Sequence, residues 1–532
     1  MFVFRDTQLG VRMIRKRLSL RWRKALFKAP KAIRKLLVKN SRNIFLSVLT
    51  GLLAVAAFPK ISLFFLAWIA LVPLLLVLSR SSVKQSFFYA FLSGFVFNAA
   101  GLYWLIPMLH FNTGSYVQAF SASCVLWAYL ALYWGVWGWL FAVAKKYFSS
   151  TWIFSVFMPA AWVVLEYART YFLTGFPWML AGYSQYRFTE IIQIAEFTGV
   201  YGVSFVLVFC NILFYFWMTD KKGNKYLYSA LFLITALSVF GAFRLDKFKF
   251  FGNEEFTVAI VQPNIDQYKK WDQGFKDEIL YSLEYYADKI SDDKVDLVVW
   301  PEAAMPDFVP YDKQALLTAE KIAKTAGGLN IIGAPHNDKS GKLFNAVFEF
   351  DGSGYKSVHK KNHLVPFGEY VPLRKQLGRF FGVLNDMGDF EKGTDKKVFT
   401  DGKVFAGPTI CSENFYPDIS RQFCLDGAKV LTNHTNDAWF FDTAAPYQHF
   451  MMNVFRAVEN RKFVLVSANS GVSGIVEASG RIVSFIPASQ EALITAEFLQ
   501  NDFHTFYTLR GDIFVKICMF VLIFLFVTIL IL

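Results

Sequence analysis

Charge is what this sequence has least of. Charged residues make up 18% of its 532 residues, against about a quarter in an ordinary soluble domain. Hydrophobic residues make up 55%, with 59 Phe and 14 Trp, so a wholly soluble chain is excluded. Cysteine is also scarce. Of Cys124, Cys210, Cys411, Cys424 and Cys518, three fall in apolar runs, which leaves no spacing of the disulfide or zinc kind. His359 and His363 stand four residues apart, but in a hairpin pattern, with no carboxylate motif to complete a set. No metal and no cofactor is expected. Ionisable groups inside the apolar runs are few, chiefly Glu166 and Glu196 near their ends, which argues against a transporter or inert membrane scaffold. There is no internal repeat, and no low-complexity tract beyond a basic arm.

The net charge of +14 resembles a nucleic-acid signature until it is located. Residues 1–42 hold fourteen Lys or Arg and one acid, Asp6, while the other 490 residues carry 41 bases and 40 acids. A basic arm ahead of apolar spans reads as a cytoplasmic segment drawn to anionic lipid headgroups, at about 1 kcal/mol per base near the surface. Membrane lipid rather than nucleic acid is its expected partner, although basic arms do bind nucleic acid. A forty-residue basic region running into spans is unlike a signal peptide, and no cleaved leader is expected.

A span needs about 20 mainly apolar residues. Candidates are 43–58, 61–78, 86–105, 119–144, 152–168, 192–218 and 227–243, making a membrane domain of about seven helices over 43–243, with an eighth at 513–532. The first two, separated only by Pro59-Lys60, form a tight hairpin or include a re-entrant piece. Bases sit in alternate loops, at Arg80 and Lys84, Lys145 and Lys146, and Lys221, Lys222 and Lys225, while 106–116 has none. By the positive-inside rule both termini are cytoplasmic and residues 244–512 lie outside.

From 255 to 499 short β-branched strands alternate with helix-like segments, which predicts an α/β unit. Strands are read at Phe256–Val261, Leu297–Trp300, Asn330–Gly333, Lys429–Thr432 and Phe463–Ser467, and helices at 274–291 and 313–327. A hairpin turns at Asp351-Gly352-Ser353-Gly354 and ends at Lys361. Three residues at predicted strand ends could carry chemistry. Glu302 in Trp300-Pro301-Glu302 is placed for general-base work; alone it could be a water-exposed carboxylate. Lys361 could belong to a solvated basic cluster with Lys360, His359 and His363. Cys411 alone could be a small buried hydrophobe, yet a cationic neighbour and a carboxylate base would make it a nucleophile. The order Glu, Lys, Cys in one α/β unit carries more weight than any of the three.

Trp300-Pro301-Glu302, Lys361-Asn362-His363-Leu364 and Ile410-Cys411-Ser412-Glu413 resemble the Glu-Lys-Cys triad of the carbon-nitrogen hydrolase (nitrilase) superfamily. Together with the flanking spans they resemble its membrane-embedded branch, the apolipoprotein N-acyltransferases. Further matches are Val261-Gln262-Pro263-Asn264-Ile265 with Lys270-Trp271, Leu364 to Glu369, Asn436-Asp437-Ala438-Trp439-Phe440, Pro446-Tyr447-Gln448-His449, Thr174-Gly175-Phe176-Pro177-Trp178 and Gly182-Tyr183-Ser184-Gln185. The resemblance implies an αββα sandwich outside a bacterial cytoplasmic (inner) membrane. It implies acyl transfer from a phospholipid, through a thioester on Cys411, to the terminal amine of an S-diacylglyceryl-cysteine lipoprotein. Glu302 would be the base and Lys361 the oxyanion donor, with Glu369 and Glu413 orienting Lys361 or the thiol. Trp271, Trp439, Trp178 and Ser412 would bear on substrate binding. The alternative is a membrane-tethered amidase using the same triad on a soluble amide. Two departures touch pocket shape: Ser412 stands where the family usually has an aromatic residue, and Phe441 where it usually has Gly.

Overall fold

The computed structural model describes residues 31–249, 251–270, 272–372, 374 and 389–531. The first thirty residues of the basic arm and Trp271 lie outside the described residues. Counting helices of seven residues or more, the N-terminal part runs α1 (Lys31–Ala56), α2 (Val72–Leu78), α3 (Val83–Gly101), α4 (Leu105–Thr113), α5 (Tyr116–Tyr147), α6 (Thr151–Tyr171), α7 (Ala195–Thr219) and α8 (Asn224–Lys247). Their starts follow local chemistry. Ser82 caps α3 reciprocally with Gln85, and Ser115 and Ser150 accept the backbone N–H of Gln118 and Ile153, each meeting a donor that the first helical turn leaves unpaired.

Among the described residues, four helices (α5 to α8) are long and apolar enough to cross a membrane, or five if α3 and α4, bent by 65°, form one span. This is a multi-pass membrane region. Among the described residues the expected runs at 43–58, 61–78 and 513–532 do not meet both the length and the hydropathy of a span, and two stretches also differ in shape. Residues 61–78 form a 3-10 turn at Phe64–Trp68 and then the short α2, with a proline, Pro73, in its first turn, so this apolar run is below span length. Residues 106–116, expected as a loop, are mostly α4. It ends at Gly114, whose φ of 65° lets its N–H reach the carbonyl of His110, the left-handed stop that glycine favours. Helices α3 and α5 meet through small residues: a Cβ on Gly94 would lie 2.5 Å from the Trp134 ring, and one on Gly138 2.4 Å from Ala90. Such contacts let membrane helices approach closely.

The α/β part holds twelve strands: β1 (Glu254–Gln262), β2 (Leu297–Val299), β3 (Leu329–Asn337), β4 (Leu343–Asp351), β5 (Gly354–Lys360), β6 (Phe399–Thr400), β7 (Phe405–Ile410), β8 (Val430–Thr435), β9 (Val464–Ala468), β10 (Ser473–Val476), β11 (Ile482–Ile486) and β12 (Ala492–Gln500). They make two six-stranded sheets, ordered β12-β1-β2-β3-β4-β5 and β11-β10-β9-β8-β7-β6. Each has parallel pairs at its centre, β1-β2-β3 and β7-β8-β9, flanked by antiparallel strands. Strand periodicity sorts the side chains. Val258, Ile260, Leu297 and Val299 face the second sheet's Ala406, Ile410, Val430 and Leu465, while Ala259, Val261, Val298 and Trp300 face α9 (Lys276–Ser291) and α10 (Lys313–Ala326). Alternate residues therefore build two separate cores.

The outer face of the second sheet carries α11 (Pro417–Leu425) and α12 (Ala445–Asn460), and both join the hydrophobic core of the membrane helices. This completes the αββα sandwich expected from the sequence. Helix α12 is the strut between the two parts. Gln448 accepts from the Trp104 and Trp178 indoles at 3.1 and 2.8 Å and donates to Gly101 O. Farther along, Glu459 accepts from Val200 N, and Arg461, just past the helix end, pairs with Glu196 at 2.9 Å. The chain ends in α13 (Ile513–Ile531).

Candidate active site

Three strand ends approach one another. Glu302 follows β2, Lys361 ends the β4–β5 hairpin and Cys411 follows β7. Strand carboxyl ends are where parallel sheets gather functional groups. The Glu302 carboxylate is fixed at both oxygens: Oε1 accepts from the Asn345 amide at 2.6 Å and Oε2 from the Asn436 backbone N–H at 2.8 Å. Lys361 Nζ, 1% exposed, lies 2.9 Å from Glu369 Oε1 and 3.6 Å from Glu302 Oε1. The Asn345 amide bridges the two carboxylates, donating to Glu369 Oε1 at 2.7 Å, and Glu369 Oε2 accepts from Val365 N. Burial alone would lower the Lys361 pKa, but Glu369 and then Glu302 outweigh it and hold the ammonium well above its ordinary value.

Cys411 is partly buried and has φ 50°, a left-handed conformation that is strained for a residue with a side chain. Its carbonyl oxygen accepts from the Asn433 amide at 3.2 Å and lies 3.2 Å from His449 Nε2. Burial and the Glu302 charge push its thiol pKa well above the usual value, and Lys361 pulls against them. The resting group is therefore a thiol, which needs a base to become a nucleophile. Glu413 holds the two loops together: its carboxylate accepts from the backbone N–H of Asn362 at 2.6 Å and of Ile410 at 2.8 Å, and meets His359 Nε2 at 3.3 Å. Burial pushes the Glu413 pKa up, but His359 and these N–H groups more than offset it, leaving it low. Glu413 thus contacts the neighbours of Lys361 and Cys411 rather than the Lys361 ammonium.

Among the four residues expected at the substrate pocket, Trp178 is buried, its ring centroid 4.8 Å from that of Phe415. Ser412 is buried, with no hydrogen-bond partner for its hydroxyl among the described residues. Trp439 packs on Phe111 at 5.8 Å. Sequence reasoning passed over several groups. Asn345 carries no motif of its own, and Asn436 lies in a quoted motif but had no assigned role. Lys270 is fully buried and donates to Glu302 O at 3.1 Å; burial lowers its pKa to about 8 against the pull of Glu302. Asp437 and His449 lie in quoted motifs but had no assigned role. They are bonded to each other at 2.9 Å, and their ligand atoms lie with that of Cys411 within 4.8 Å of one another. His449 Nδ1 already meets Asp437, and Nε2 faces Asn414 Oδ1 and Cys411 O.

Comparison with known proteins agrees with this architecture. Residues 50–213 match the apolipoprotein N-acyltransferase N-terminal domain and residues 257–505 the carbon-nitrogen hydrolase domain. An apolipoprotein N-acyltransferase of Geobacter metallireducens is 34% identical over 490 residues, covering 90% of this chain and 93% of that protein. The chain belongs to the apolipoprotein N-acyltransferase family. A second relative of that name, from Methylococcus capsulatus, is 30% identical and covers 88% of this chain and 93% of its own length. Among solved structures, a Saccharomyces cerevisiae member of the nitrilase superfamily aligns over 49% of this chain and 95% of its own, with 18% identity and a TM-score of 0.38. The family thus joins a membrane part and a carbon-nitrogen hydrolase part in one chain, and the junction here is α12.

Proposed function

We propose that this protein transfers an acyl chain from a phospholipid, through a thioester on Cys411, to the N-terminal amine of an S-diacylglyceryl-cysteine lipoprotein. Family membership supports the acyltransferase class, and one observation carries the mechanism: a carboxylate fixed at both oxygens and a fully buried ammonium stand at strand ends beside Cys411. Glu302 takes the thiol proton as sulfur attacks the ester carbonyl, and Lys361 faces the oxygen that becomes negative. Removing such an oxyanion donor costs on the order of 3–4 kcal/mol of barrier. The tetrahedral intermediate collapses with the proton passing from Glu302 to the departing lysophospholipid oxygen, leaving the thioester.

In the second half the acceptor amine attacks the thioester, Glu302 takes its proton, and the Cys411 thiol is regenerated. An α-amino group has a pKa near 8, so little energy is needed to expose its lone pair. Water competes, and a site opening toward acyl chains favours the amine. Glu369 keeps Lys361 charged, and Glu413 fixes the loop that presents Cys411. In this reading residues 255–499 lie outside the cytoplasmic membrane, as the alternation of bases between loops supports. The membrane domain of 43–243 and the C-terminal helix anchor them, with both termini cytoplasmic and the basic arm on anionic lipid. Intact-mass analysis after mixing with phospholipid tests the chemistry. An acyl adduct that disappears in Cys411→Ala is expected; no adduct on the wild type, or one that survives Cys411→Ala, would sink the thioester route.

A further inference from the structure

Cys411 is strained in its own backbone, and part of what holds it comes from a distant helix. Strand β7 ends at Ile410, and Cys411 opens a 3-10 turn with φ 50°, a conformation that a residue with a side chain keeps only where its surroundings over-determine it. On one side of it Glu413 accepts the Ile410 N–H at 2.8 Å. On the other, two side chains reach the Cys411 carbonyl oxygen, Asn433 from β8 and His449 from α12, each at 3.2 Å. Fixing both flanking peptides fixes the Cα from which the thiol projects.

His449 is buried, its ring centroid 4.8 Å from that of Phe415. A carbonyl oxygen can only accept a hydrogen bond, so Nε2 carries a proton and donates it to Cys411 O, with Asn414 Oδ1 also near at 3.1 Å. The other ring nitrogen, Nδ1, meets Asp437 Oδ1 at 2.9 Å, and that oxygen accepts from the Thr435 hydroxyl at 3.0 Å as well. Gly471 leaves room for this carboxylate, since a Cβ there would lie 2.4 Å from Oδ2. The helix is anchored at the same turn, because the preceding residue, Gln448, is bonded to Trp104, Trp178 and Gly101. Although the dyad lies beside the thiol, neither ring nitrogen has a lone pair free for it. His449 is therefore not a second base, and its contact is with the backbone of Cys411.

We propose that His449, oriented by Asp437, is a positioning residue: its Nε2–H holds the Cys411 carbonyl, keeps that residue in its left-handed conformation and so aims Sγ between Glu302 and the incoming ester. This rests on the acyl-transfer reading above. The experiment uses the full chain in detergent micelles and measures two rates at Cys411, single-turnover acylation by diacylphospholipid and alkylation by iodoacetamide, which needs no lipid. His449→Leu should slow both on the order of 10²-fold, the effect of a small misplacement of the reacting atom. The phospholipid concentration that gives half-maximal acylation should stay within about twofold of wild type, because ground-state binding is untouched. His449→Gln, whose amide N–H can reach the same carbonyl, should return both rates to within about tenfold of wild type, one hydrogen bond of imperfect geometry. Unchanged rates in His449→Leu overturn the proposal. So does a His449→Gln variant with native Tm that is no faster than His449→Leu, or a loss seen only as a higher half-maximal concentration. A wild type that is alkylated at Cys411 but never acylated removes the acyl-transfer reading and leaves the alkylation rates to decide the role of His449.

Discussion

Replacing Glu369 with Gln removes the negative charge on which the Lys361 ammonium depends most. At 2.9 Å and an effective dielectric of about 20, that charge contributes on the order of 4–6 kcal/mol to keeping the amine protonated, roughly three to four pH units at 1.36 kcal/mol each. Glu302, 3.6 Å away, is left as the counter-charge, and burial, which already opposes the ammonium, then weighs more heavily. In the wild type the raised pKa keeps Lys361 charged and its stabilising effect whole at every pH below the ordinary lysine value of 10.5; that effect is lost only as pH rises beyond it. In Glu369→Gln the pKa falls, so the amine becomes neutral at lower pH and the oxyanion donor weakens as pH rises. Acylation of Cys411, followed by quenched intact-mass analysis across pH, should therefore show a new alkaline limb. Above it the rate should lie on the order of 10²–10³ below wild type. Tm should fall by the equivalent of about 3 kcal/mol, since a buried charge loses its closest partner. An alkaline limb that superimposes on the wild type's would refute the argument. So would a variant with native Tm that is inactive at every pH, because Glu369 would then do more than hold a charge.

Glu302→Gln keeps the shape of the carboxylate and the Asn436 N–H contact but cannot take a proton, so single-turnover acylation should slow by about 10²–10⁴-fold; a loss under fivefold would remove Glu302 as the base. Lys270→Met tests the buried cation beneath Glu302. Because the folded-state pKa of Lys270 is about 8 against an ordinary 10.5, the unfolded chain binds the extra proton between those values, and wild-type stability should rise with pH across that window. The Tm advantage of Lys270→Met over wild type should therefore be largest below pH 8 and shrink toward pH 10.5; a constant difference would contradict the burial argument.

Much of this protein was written locally. An unbroken apolar stretch, Val258, Ala259, Ile260 and Val261, is enough to make a strand buried on both faces, and longer apolar runs such as those of α6 and α7 are enough to make membrane helices. Each triad candidate follows a short β-branched strand, so Glu302, Lys361 and Cys411 could be read as strand-end residues before any fold was known. The chemistry of the turn at Asp351-Gly352-Ser353-Gly354 fixed the hairpin that delivers Lys361. Segments whose shape depends on what they touch were less legible. Residues 106–113 read as part of a loop because their helix is too short to stand out by length, and only the bend after Gly101 and the stop at Gly114 define it. The apolar run at 61–78 has the composition of a span, but Pro73 and the contacts around it break it into a turn and a short helix.

The sequence by itself determined the two kinds of material, several of the strands and three candidate residues at strand ends, because hydrophobic pattern and turn chemistry act between near neighbours. The tertiary structure alone decided what surrounds those groups. Asn345 bridges Glu302 and Glu369, Lys270 lies under Glu302, and His449 reaches the Cys411 carbonyl across 38 residues of chain. It also decided that Phe441 holds a glycine's conformation while its ring meets Phe111. Such contacts join residues distant in sequence, and their energies depend on burial and separation, which no local pattern encodes.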